Sequence, residues 1–425
     1  MTETGRRLES DTHIGLSPRH WLNYLVEHRG ASQSLLAADQ IMSSASSAVY
    51  ALITLALATQ NQYGLFAIGS AVLGIVIGIG RAGVLEGLIV RSGTDDSTDY
   101  AREARLLVSG IAVLGCAITL PLGMLGFGMS WPLATSFGLV ALGSVLIDIE
   151  RYAAFAKREY RTALRIDSLW LASYGATLGG LALGNHLTFL SAIAGYFATA
   201  ITTFAVVLVR RGGRIEIGRA QDHLVLHRDL RFGADFTLNV SSGYLIVLLI
   251  PALSSVSTLG AYRAVLTLFQ PLGALAYAPR SWYLARKSWL LHPRRTFVKT
   301  FAAVAALCAV YGGAAIVAYL VLPLKHFSSF ATASAIAVGI AAGAELARIA
   351  GQTYFDGFRI LRRVKPIVIL RGVQLVLLVV LTVVLGPRFG LLGFLWARLI
   401  AYAFPVFLGA VPGLQLPKDL IEGNQ

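Results

Sequence analysis

Twelve apolar runs of roughly twenty residues take up most of this 425-residue chain. Wound at about 1.5 Å per residue, such a run crosses the ~30 Å hydrocarbon core of a bilayer. Inside hydrocarbon each backbone N–H and C=O needs a partner within its own segment or a closed barrel. The short alternating segments of a membrane barrel are absent, so the runs are helices. They fall at 35–57, 62–89, 104–126, 132–150, 165–184, 187–209, 233–253, 259–280, 298–322, 330–352, 366–386 and 390–412. Only 14% of residues are charged, against about 25% in a soluble domain.

The connectors alternate in character. Those after odd-numbered spans are a few residues long and nearly uncharged, as in ATQNQ, GNH, SSVST and GPRFG. Those after even-numbered spans are longer and mostly basic. Of 36 Lys and Arg, only Lys325 and Arg388 lie in the short set. The positive-inside rule then puts both termini and the basic loops in the cytoplasm. The +14 net charge becomes a skirt facing anionic headgroups, since each basic residue near the surface gains about 1 kcal/mol. It is not a nucleic-acid surface, because the aromatics interleave with apolar spans rather than with a soluble basic face.

Gly233–Pro271 echoes the residues from Ala37 onward at an offset of 196: Asp235 falls on Asp39, Ser242 on Ser46 and Gly260 on Gly64. Each copy runs acid, small polar residues, apolar run, polar hinge, glycine. A second echo pairs Asp148-x-x-Arg151 with Glu345-x-x-Arg348 at 197. A period of half the chain predicts a duplicated protein. With six spans per copy, both halves enter from one side and the repeat is parallel. The expected fold is an all-α integral membrane protein, about 12 transmembrane helices in two parallel-repeat six-helix bundles. Its parts are a cytoplasmic tail (1–34), a first bundle (35–209), a linker (210–231), a second bundle (232–412) and a cytoplasmic tail (413–425). Within the first tail, Ser17-Pro18 can open a short interfacial helix. Met1–Gly30 carries four arginines and no apolar core with a cleavage site, so a retained helix is expected to drive insertion.

No GxxxxGK[ST], HExxH, CxxC or GxSxG context occurs, and the outer connectors leave no room for a catalytic domain. Neither enzyme chemistry nor a metal or cofactor is expected. Cys116 and Cys308 sit in apolar runs and read as small buried residues. Small-residue spacings at Gly74/Gly78, Gly175/Gly179, Gly180/Gly184 and Gly339/Gly343 predict close helix packing.

Ionisable residues at membrane depth cost about 2.5–3.5 kcal/mol and mark candidate sites. Asp39 and Asp235 lie one turn into spans 1 and 7, as candidates for ion coupling or as partners of the helix dipole. Arg81, Arg263 and Arg280 close or enter spans 2 and 8, where they can bind phosphate bidentately or snorkel to headgroups. Gln40, Asn239 and Gln270 extend the polar stripe on spans 1, 7 and 8. Asp148/Arg151 and Glu345/Arg348 share helix faces at i, i+3, for a gating or a structural role. Arg398 lies two turns into span 12.

The runs QYGLFAIGSAV, ERYAAFAKREYRTALRIDSLWL and LGAYRAVLTLFQPLGAL resemble those of bacterial polysaccharide transporters. These are O-antigen-type lipid-linked oligosaccharide flippases of the multidrug/oligosaccharidyl-lipid/polysaccharide exporter superfamily. The resemblance implies two bundles alternating between inward- and outward-open forms in the bacterial inner membrane, serving cell-surface polysaccharide assembly. It implies a polyprenyl-pyrophosphate-linked glycan as substrate, its head held by Arg263 and Arg280, with Arg81 beside them. Asp39 and Asp235 depart from a purely cationic lining and leave a cation-coupled multidrug exporter as the alternative. Besides substrate and membrane lipids, glycan-assembly membrane proteins are candidate partners for the basic loops. A non-transport scaffold recruiting such proteins is a third possibility.

Overall fold

The computed structural model describes residues 35–410 apart from 36–37, 40–41, 82–84, 86–96, 158, 211–237, 239–241, 273–292, 322–327, 331 and 361–363. Gln40, Asp235, Asn239 and Arg280, most of the linker and both tails therefore lie outside the described residues.

All regular structure among the described residues is helical. The first half carries α1 (Met42–Leu57), α2 (Gln60–Gly80), α3 (Ser97–Pro121), α4 (Trp131–Ala156), α5 (Tyr160–Leu183) and α6 (Phe189–Arg210). The second carries α7 (Ser242–Leu253), α8 (Val256–Thr267), α9 (Pro293–Val321), α10 (Ala335–Ile360) and α11 (Val364–Ala410). In α11 the last two expected spans run on, broken only at Gly390, whose φ of 57° and ψ of −133° favour glycine. Counting its two limbs separately gives twelve rods, as the apolar runs predict. Among the described residues, five helices are long and apolar enough to cross a membrane by length and composition.

The polar hinges are helix caps. Thr59 opens α2 with a capping box: its hydroxyl accepts from the Gln62 N–H at 3.3 Å, and the Gln62 side chain accepts from the Thr59 N–H at 2.9 Å. At the matching place in the second copy, the Ser255 hydroxyl accepts from the Thr258 N–H at 3.0 Å and opens α8. Each cap satisfies an N–H that the first helical turn would leave orphaned. Helices α2 to α6 pack on one another, as do α8 to α11, and the two sets meet chiefly along α2 and α8.

That crossing is reciprocal. A Cβ on Gly64 would collide with the Val256 carbonyl, and one on Gly260 with the Gln60 carbonyl. Residues 60 and 256 are themselves related by the offset of 196. Duplicated glycines thus touch across a pseudo-two-fold axis, as in an isologous contact. Only a residue without Cβ lets the backbones come this close.

The other small-residue spacings fare differently. Gly74 makes room for the Tyr244 hydroxyl of α7, but Gly175, Gly179, Gly180 and Gly339 face open space instead of another helix. Spacing puts small residues on one helix face; it does not decide whether a neighbour lies against that face.

Candidate functional site

A hollow of about 200 Å³ lies between the two halves. Helices α1, α2, α4, α5 and α6 supply most of its wall, and the second half adds Tyr244, Arg263 and Gln270. Its α1 lining begins at Ser43 and its α2 lining ends at Arg81, so it extends toward the end of the bundle that carries the basic connectors.

The opposite end is shut. Beyond the Gly64–Gly260 crossing, the Gln60 amide donates to the Thr332 hydroxyl at 2.7 Å. The Ser328 and Ser329 hydroxyls donate to the carbonyls of Ala58 and Leu55 at 3.2 and 3.0 Å. Tyr63 and Thr267 share a buried hydroxyl–hydroxyl bond of 2.7 Å just below. Every one of these bonds joins the two halves, so this end cannot open without breaking them.

Five side chains that line the hollow carry buried polar atoms without a hydrogen-bond partner among the described residues: the Tyr50 hydroxyl, the Ser70 hydroxyl, Nε1 of Trp170, Nε of Arg263 and Oε1 of Gln270. Buried polar groups are normally paired, because leaving one unpaired costs about 1–3 kcal/mol. Five around one cavity leave hydrogen-bonding capacity that a polar guest could use. Arg263 also has no carboxylate within ion-pair distance among the described residues, and its side chain lines the hollow.

Arg81 is differently placed. It lines the same hollow, but its Nε and Nη2 donate to the two oxygens of Asp148 at 2.6 and 2.9 Å. Its charge is largely answered inside the protein. Asp148 is also 3.1 Å from Nη1 of Arg151, its i, i+3 neighbour. Arg151 goes on to Asp39, which precedes α1, at 2.8 Å and reaches Asp167 of α5 at 3.0 Å. Side chains from α4, from α5, from the C-cap of α2 and from ahead of α1 meet in this knot, and Arg151, Asp39 and Asp167 are almost fully buried. Three carboxylates face two guanidinium groups. Oδ1 of Asp39 and both oxygens of Asp167 lack hydrogen bonds.

The second half holds a smaller knot. Glu345 binds Nε of Arg348 at 2.7 Å and Nη2 of Arg398 at 2.6 Å, so both its oxygens are engaged. Arg398 also donates to the Tyr262 hydroxyl at 3.3 Å and lies over the Tyr402 ring at 4.9 Å. That accounts for a charge two turns deep in the last span.

The structure thus brings Asp39, Asp148, Arg151 and Arg81 into one cluster and places Arg263 and Gln270 around the hollow next to it. Glu345 and Arg348 stand apart in the other half. Asp167 and the hydroxyls of Tyr50, Ser70 and Tyr244 join the site without having been singled out in the sequence. Asp167 carried a usable signal, an acid just inside an apolar span. The hydroxyls carried none, since isolated Tyr and Ser are common in such helices.

No family model and no curated protein matches the chain. Solved structures do. A MATE transporter in complex with MaD5 superposes with a TM-score of 0.63 at 13% identity, covering 89% of this chain and 93% of its own. The MATE multidrug transporter DinF-BH in complex with R6G gives 0.61 at 14%, covering 93% and 97%. An outward-facing multidrug resistance MATE transporter of the MOP superfamily gives 0.60 at 12%, covering 89% and 93%. The chain therefore has the fold of MATE transporters of the MOP superfamily, and with its apolar helices it is a multi-pass membrane protein. These structural neighbours are transporters.

Proposed function

We propose that this protein is an alternating-access transporter that carries a polyprenyl-pyrophosphate-linked oligosaccharide from the inner to the outer leaflet of the bacterial inner membrane, with both termini cytoplasmic. The observation that carries this reading is Arg263, a guanidinium with no carboxylate partner among the described residues, at the wall of a hollow whose lining holds further polar atoms without described partners. Guanidinium stays charged and grips phosphate with two parallel hydrogen bonds, which suits a pyrophosphate head. If the basic connectors lie in the cytoplasm, the hollow is on the cytoplasmic side and the interlocked end on the outer side, the arrangement that loads substrate from within.

Size limits what the hollow takes. Sites that bury a drug-sized ligand run to about 300–1,000 Å³, and this one is about 200 Å³. It holds a charged head; the glycan and the lipid chain need the halves to part further. Replacing Arg263 by Ala is expected to accumulate lipid-linked precursor on the inner leaflet while protein level holds. Normal export by that variant would remove the phosphate clamp.

A second reading has its own support. The surplus carboxylate of the first knot, with unpaired oxygens on Asp39 and Asp167, suits uptake of a proton or cation, and so a cation-coupled multidrug exporter. Drug susceptibility of cells carrying Asp39→Asn separates the two, because a glycan flippase leaves it unchanged.

A further inference from the structure

A second cavity, about 140 Å³, lies between α5 and α6 and shares no lining residue with the central hollow. Its α5 wall is Thr162, Arg165, Ile166 and Leu169, a stripe at i, i+3, i+4 and i+7 that forms one helix face. Its α6 wall is Val206, Val207 and Arg210. Ile166 and Val207 are buried, whereas Arg165 and Arg210 are exposed. Neither arginine has an ion-pair partner among the described residues.

The cavity is thus an apolar slot with two guanidinium groups at its rim that no described carboxylate pairs. Arg210 ends α6 and Arg165 lies in the second turn of α5. The slot therefore sits where these helices leave the membrane at the basic-connector end. A ligand matched to it carries a negative head at headgroup depth and a hydrocarbon chain directly below. A soluble anion would meet the arginines but gain nothing from the apolar floor; a neutral lipid would do the reverse.

We propose that the α5–α6 slot is a binding site for one anionic phospholipid of the inner leaflet, its phosphate held between Arg165 and Arg210 and the start of an acyl chain lying on Ile166, Leu169 and Val206. Position gives the site a consequence. Ile166 adjoins Asp167 of the buried knot, and Trp170 on the same helix lines the hollow. A lipid seated here braces one flank of the helix that also carries part of the transport site.

Native mass spectrometry of the full chain in detergent tests this, with dioleoyl phosphatidylglycerol and phosphatidylcholine as probes. Wild type is expected to retain a single phosphatidylglycerol in preference to phosphatidylcholine. The double variant Arg165→Gln/Arg210→Gln is expected to bind phosphatidylglycerol about 30-fold more weakly, the electrostatic share of two arginines near an anionic surface. A slot-filling variant, Leu169→Trp, keeps both charges and is expected to lose the retained lipid as well. Gel-filtration profiles show that each variant is folded, and Arg388→Gln, which removes a charge from a short connector, retains the lipid. Equal retention in wild type and the arginine double variant overturns the proposal. So does loss in the double variant with full retention in Leu169→Trp, which would mean diffuse surface attraction without a slot.

Discussion

The two halves each clamp one acid on corresponding helices, and they clamp it differently. In the first, Asp148 is shared by Arg81 and Arg151, and Arg151 also faces Asp39 and Asp167. In the second, Glu345 is shared by Arg348 and Arg398, and no further carboxylate joins among the described residues. The first knot therefore has a surplus of acid and the second a surplus of guanidinium. Each leaves an arginine Nε without a hydrogen bond, Arg151 in the first and Arg398 in the second, and only the first also leaves carboxylate oxygens without one. The acid–arginine pair recurs at matching positions of the two halves, and what surrounds it differs. One knot is suited to taking up a positive charge; the other already holds its own.

The largest effect expected from this contrast is in Arg151→Met. It leaves three buried carboxylates with only Arg81, and breaking such a pair by deleting one partner costs about 3–5 kcal/mol. Thermal melting in detergent should show it, and adding Asp167→Asn should recover part of the loss by removing the surplus. If the double variant melts no higher than the single one, the carboxylates are not in conflict.

Gly64→Ala and Gly260→Ala come next. Each methyl would strike a carbonyl of the opposing helix, and overpacking of this kind costs about 1–3 kcal/mol in the shut arrangement. That is a shift of about 5–150-fold toward forms open at the short-connector end. Spin-label distances between α2 and α8 would report it. The contact is reciprocal, so the two variants should respond alike; an effect confined to one would break the symmetry.

A functional contrast follows from the two knots. On the cation-coupled reading, Asp39→Asn or Asp167→Asn should make transport into vesicles insensitive to an imposed ion gradient, while Glu345→Gln keeps that sensitivity. Equal loss in all three would remove the distinction between the knots. The smallest effect belongs to Arg348→Ala. Its side chain is 33% exposed, and Arg398 still holds Glu345, so the cost should stay near the ~0–1 kcal/mol of a surface pair. A loss comparable to Arg151→Met would show that the second knot is as tightly bound as the first.

Helices, their number and their duplication were legible in the chain because each depends on local or periodic properties. Apolar length specifies a span, and the offset between Gly64 and Gly260 survives as plain arithmetic. The polar hinges could be recognised too, although their work as caps through Thr59 and Ser255 took coordinates to see. Resemblance pointed to the superfamily whose fold the chain has; the choice of substrate within it is a matter for experiment.

Only the tertiary structure decided which charges meet. Arg81 and Arg263 looked equivalent as arginines on related spans, yet one is neutralised by Asp148 and the other lines the hollow with no carboxylate partner among the described residues. Arg151 and Asp39 lie 112 residues apart and touch at 2.8 Å. Hydropathy says that a helix crosses the membrane but leaves its rotation about its own axis open. That rotation comes from the packing of many side chains and from close approaches such as Gly64 on Val256, and a turn of one residue about the axis would swing every buried charge away from its partner.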